Sequence, residues 1–85
     1  MNTFPLVIAS PEDTLFEGEV IALSLRGSDG DLAVMAGHTP FITAVRPGKC
    51  RITLADGSTK EGTAESGLLT VSPDGTRLLS GSFHW

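Results

Sequence analysis

Residues 30–48, GDLAVMAGHTPFITAVRPG, decide the fold class. Two apolar runs, residues 32–36 and 41–45, flank the cluster Gly37-His38-Thr39-Pro40. Glycine and proline interrupt any helical continuation, so the stretch reads as strand, turn, strand. The same pattern extends outward. In EVIALSLR, which begins at Glu19, Ile21, Leu23 and Leu25 share one face; Ala22, Ser24 and Arg26 share the other. That period of two describes a half-buried strand. Ile52 and Leu54 alternate with Arg51 and Thr53, and Leu69 and Val71 with Thr70 and Ser72. Short runs at residues 6–9 and 77–80 complete the set.

The punctuation agrees. Asp-Gly occurs at Asp29-Gly30, Asp56-Gly57 and Asp74-Gly75, and Pro-Gly at Pro47-Gly48. Asp-Gly suits tight hairpins because both residues tolerate positive φ. Ser10-Pro11-Glu12-Asp13 has the chemistry of a helix start, but Gly18 and an alternating run follow, so it is predicted to be a turn. No window carries a helical stripe. Many short strands with regular turns predict an all-β sandwich or partly closed barrel. No linker or repeat divides residues 1–85, so one domain is expected.

Composition narrows the function. The 85 residues are 40% hydrophobic, enough for one core and little room for a deep cavity besides. Ten acidic and six basic side chains give a net charge of −4, and the six cations are scattered. Phosphate neutralisation needs grouped Lys or Arg, so nucleic-acid binding is disfavoured. Cys50 is the one cysteine, which excludes an intramolecular disulfide and fits a reducing compartment. No run approaches the ~18 apolar residues of a membrane span. The N-terminus has no cationic region ahead of its apolar residues, so no signal peptide is expected.

The search for chemistry is mostly negative. The possible metal ligands His38, His84 and Cys50 lack ligand spacing, so no metal and no cofactor is expected. Gly62 and Gly67 have phosphate-loop spacing, but Leu68 stands where lysine must be. No nucleophile elbow supports a Cys50–His38 or serine–His38 hydrolase. Asp29 and Asp31 flank Gly30 at a hairpin tip, where they are solvated turn formers or a partner-facing acidic loop. His38 suits an inert turn residue and a recognition residue on a rigid turn equally well.

A resemblance separates these readings. Gly27, Gly30, Leu32, Ala33, Val34, Gly37, His38, Pro40, Phe41, Pro47 and Gly48 resemble the signature region of the epsilon subunit of F-type ATP synthases. Ser10-Pro11, Leu15-Phe16-Glu17-Gly18 and Gly67 extend the likeness to nearly the whole chain. Ala36 departs from it, since proline is usual there. The resemblance implies a flattened β-sandwich of about ten short strands and a non-catalytic rotor subunit. It would bind the gamma subunit and the c-ring on the cytoplasmic side of the inner (plasma) membrane, peripherally, and couple proton- or sodium-driven rotation to ATP synthesis. Carried over residue by residue, Ser10, Gly37, His38, Pro40 and Thr43 would meet gamma. Ser28, Asp29, Gly30 and Asp31 would face the c-ring. The family's C-terminal helical pair has no counterpart before Trp85, so a short form is expected, with no ATP site or inhibitory arm carried over. Trp85 would cover the exposed edge or the bottom of the sandwich in place of those helices. A free-standing β-sandwich binding module is the alternative.

Overall fold

The structure is a computed structural model and describes residues 2–85. Among them lie β1 (Phe4–Ala9), β2 (Thr14–Gly27), β3 (Gly30–Met35), β4 (Phe41–Val45), β5 (Gly48–Leu54), β6 (Thr59–Ala64), β7 (Gly67–Ser72), β8 (Gly75–Ser80) and β9 (Phe83–His84). The fold is all-β as predicted, with nine strands among the described residues where about ten were expected.

β2 organises the molecule. Its first half pairs antiparallel with β1, from Phe4↔Val20 to Ile8↔Phe16. Its second half pairs with β3 on one side and β5 on the other. Two layers therefore share this 14-residue strand. Layer A runs β4-β7-β8-β1-β2, with β1 and β8 parallel and the other pairs antiparallel. Layer B runs β3-β2-β5-β6-β9. One register contact, Gly27↔Val45, also joins β2 to β4.

Both layers bury one face in a common core. Leu6, Ile8, Val20, Leu23, Ile52, Leu69 and Leu78 are sealed from solvent, and Cys50 sits among them. Each such aliphatic side chain contributes ~1.5–3 kcal/mol by leaving water. The alternations read at Leu23/Leu25 and Leu69/Val71 are buried as expected. Ile21 is not in phase with them. The register steps from Val20↔Leu54 to Ala22↔Thr53, so Ile21 is the extra residue of a bulge and is half-buried. A bulge shifts the two-residue period by one, which lets Val20 and Leu23 both point inward.

Two further expectations are corrected. Residues 59–64 form β6 although their sequence, TKEGTA, carries no apolar alternation. Their inward positions are Gly62 and Ala64. A Cβ at Gly62 would lie 2.8 Å from the Phe83 ring and 2.6 Å from the His84 carbonyl oxygen, so the site admits only glycine. The hairpin turns also differ: no non-glycine residue has positive φ among the described residues. Asp29, Asp56 and Asp74 stay in ordinary backbone, and the glycine after each takes the positive φ (127°, 91° and 147°). At Asp56 the chain makes a type I turn with a glycine bulge. Gly57 N donates to Leu54 O, and Leu54 N to Ser58 O.

Candidate docking surfaces

The turn between β3 and β4 holds His38 in one orientation. His38 N donates to Met35 O at 3.2 Å, and Gly37 takes φ 82° to close the loop. His38 Nδ1 lies 2.9 Å from Thr39 O. A carbonyl only accepts, so Nδ1 carries the proton and Nε2 of the neutral ring is an acceptor. The imidazole leans on Phe41, centroids 4.9 Å apart and tilted 49°. It is exposed on a braced turn. Cys50 cannot serve it as a nucleophile, because the thiol is sealed in the core and burial pushes its pKa from 9.0 to about 11. No group of three or more His, Cys, Asp or Glu among the described residues could hold a metal ion.

The β2–β3 hairpin tip, Ser28 and Asp29 between the paired Gly27 and Gly30, is exposed. Asp31 lies 3.6 Å from Arg26 Nε, a loose pair of two solvated groups. The tip is at the opposite end of the strands from the His38 turn. Gly27 aligns with Val45, whereas Phe41 lies next to the turn.

The structure does not gather all the residues assigned to the gamma contact. Gly37, His38 and Pro40 lie together at one end of layer A. Ser10 lies at the other end, just past Ala9, in a turn closed by Ser10 N to Asp13 O at 2.8 Å. Thr43 shares the half-buried side of β4 with Phe41 and Val45. Its hydroxyl is 3.4 Å from that of Ser28, so it touches the hairpin assigned to the c-ring.

Between the two ends of layer A lies a surface that no apolar alternation marks in the sequence. Ile42 and Ala44 on β4 align with Thr70 and Leu68 on β7, and these with Arg77 and Leu79 on β8. Arg77 and Leu79 align in turn with Val7 and Ala9 on β1. Register partners share a face, so these two adjacent rows lie on the outer surface of layer A. Apart from Thr70 and Arg77 these residues are apolar, and the surface is open: Ile42 is 66% exposed, Leu68 43% and Leu79 43%. The signal was the doubled apolar residues Leu68-Leu69 and Leu78-Leu79, which put leucine on both faces.

The outer face of layer B is different in kind. It carries Ala33, Ser24, Arg51 and Glu61 in one row and Asp31 with Arg26 in the next. Arg51 donates two hydrogen bonds to Glu61 Oε2, at 2.9 and 2.7 Å. That guanidinium holds the Glu61 carboxyl below the usual carboxylate range. The large exposed aliphatic side chains Ile42, Leu68 and Leu79 are on layer A, and the ion pairs are on layer B.

Fold and surface together define a small β-sandwich that carries exposed aliphatic side chains on one outer face and an acidic hairpin tip. The beta-sandwich domain of the ATP synthase delta/epsilon chain matches residues 3–85, and the chain belongs to that family. It is 39% identical over 80 residues to the ATP synthase epsilon chain of Delftia acidovorans, which covers 94% of this chain and 58% of that one. The fold is shared with a chain of the Euglena gracilis mitochondrial ATP synthase, solved as OSCP/F1/c-ring. Its TM-score is 0.89 at 18% identity over 95% of this chain and 52% of that one. A chain of the Tetrahymena thermophila mitochondrial ATP synthase central stalk and c-ring has a TM-score of 0.77 at 9% identity, covering 93% and 63%. The chain thus spans a little over half the length of the relatives it matches.

Proposed function

We propose that this chain is a non-catalytic rotor component of the central stalk of an F-type ATP synthase. It docks the gamma subunit on the outer face of layer A and meets the c-ring with the tip at residues 28–31. In that place it helps couple proton- or sodium-driven ring rotation to ATP synthesis. It is attached to the membrane through the complex, on the cytoplasmic side.

The observation that carries the reading is the apolar group Ile42, Leu68, Leu79 and Val7, drawn from two adjacent rows, on a protein whose other broad face carries an ion pair. Contiguous exposed apolar surface on a small domain marks a place where another protein sits. A standard interface buries ~800 Å² on each partner, so contact must spread beyond this group. It reaches Ser10 at one end and the His38 turn at the other, which gives both a place at the rim. The acidic tip suits ring loops of the kind that carry arginine in this family; such rim charges tune registry more than affinity.

The test is titration calorimetry with the cognate gamma subunit. One-to-one binding is expected, nearly abolished by Ile42→Asp and weakened by His38→Ala. No binding to gamma returns the chain to a free-standing β-sandwich module.

A further inference from the structure

On the outer face of layer A, one register row runs Ile42, Thr70, Arg77, Val7 and Glu17, and Arg77 is the cation in it. Arg77 projects from β8, which lies between β7 and β1. Charges that guard against aggregation sit on edge strands. Arg77 is on a central strand, which is not such a place. Arg77 is flanked in register by Thr70 and Val7, with Leu79 two residues along its own strand and Ile42 beyond Thr70. Arg26 and Arg51 on the opposite face each have a carboxylate, at 3.6 and 2.7 Å. Arg77 makes no ion pair among the described residues. Glu17 is aligned beyond Val7, two strand spacings or ~10 Å away. Asp74 lines the same shallow groove without pairing.

Resting on the gamma-docking reading above, we propose that Arg77 selects the partner. The gamma surface seated on layer A presents one Asp or Glu side chain that accepts hydrogen bonds from the Arg77 guanidinium. An arginine desolvated inside an apolar contact without a counter-charge is costly, so a surface lacking that carboxylate is rejected. Guanidinium geometry matches a carboxylate at two points, which also sets the angle at which the partner sits. A second copy of this chain is the wrong occupant. A two-fold contact centred on this row brings Arg77 against its own copy.

The experiment is calorimetry of the chain with its cognate gamma subunit at several NaCl concentrations, using Arg77→Met, Arg77→Lys and Arg77→Glu. Arg77 is exposed, and methionine keeps an unbranched apolar stem, so the fold is retained; thermal unfolding checks it. Arg77→Met is expected to raise Kd roughly 30-fold and flatten its salt dependence. Arg77→Lys retains part of the affinity, and Arg77→Glu is rescued by reversing one gamma carboxylate to lysine. If Arg77→Met binds within about twofold of the parent while Ile42→Asp abolishes binding, the docking face stands and the role of Arg77 falls. If Ile42→Asp also binds normally, the docking reading falls and this one with it. Self-association through this face in sedimentation overturns it too.

Discussion

Gly67 and Cys50 carry the sharpest residue-scale consequences. A Cβ on Gly67 would lie 2.0 Å from the Leu79 carbonyl oxygen, a backbone atom with no freedom to retreat. Gly67→Ala must therefore part β7 from β8, and a destabilisation above ~3 kcal/mol is expected in denaturant unfolding. Gly30→Ala meets nothing within 4 Å but must hold φ 127°, so strain alone costs about 1–3 kcal/mol. Cys50 gives a pH test. Its folded pKa, about 11, is above its unfolded value of 9.0, so the native state keeps its proton longer. Stability is full below pH 9 and falls as pH rises towards 11, by up to ~1.4 kcal/mol per unit. Cys50→Ala should remove that slope. The native thiol should also resist alkylation at pH 8 and react once the chain is unfolded.

At the scale of elements, β9 and Trp85 fasten an open side. β9 extends layer B by two register pairs, Thr63↔His84 and Ala64↔Phe83. Trp85 continues from it and reaches β2, where its indole Nε1 donates to Leu15 O at 3.2 Å. The ring meets Phe83 edge-on at 4.8 Å and Phe16 at 6.3 Å, and Lys60 Nζ lies 4.3 Å from its centroid. Its contacts with β2, β6 and β9 tie the two layers there. It is 41% exposed, so Trp85→Ala should cost less than a fully buried aromatic, about 2 kcal/mol. Hydrogen exchange should show fraying confined to β9 and its partner β6, while β1, β7 and β8 keep their protection.

For the whole molecule, the apolar face and the acidic tip are spatially distinct, so the two proposed partners should be separable. Asp29→Lys with Asp31→Lys reverses the tip without touching the outer face of layer A. Such a chain should bind gamma as tightly as the parent and associate more weakly with the c-ring, measured by co-sedimentation with ring-containing membranes. Loss of gamma binding in this variant would mean that the two surfaces are one. Ile42→Asp should show the reverse pattern with little change in melting temperature, because Ile42 contributes nothing to the core.

The sequence by itself determined the all-β class, most of the strands and the turns, because a two-residue period and Gly/Pro punctuation are local properties of the chain. It also placed His38 on a turn and the aspartates at a tip. Tertiary structure alone decided the rest. β6 has no apolar pattern to read; its inward glycine is explained only by Phe83 lying across it. The phase of Ile21 depends on a bulge opposite β5, a strand almost thirty residues further on. The docking face was invisible for a related reason. Ile42, Leu68, Leu79 and Val7 come from four strands, and only pairing register brings them onto one face, in two adjacent rows beside Arg77.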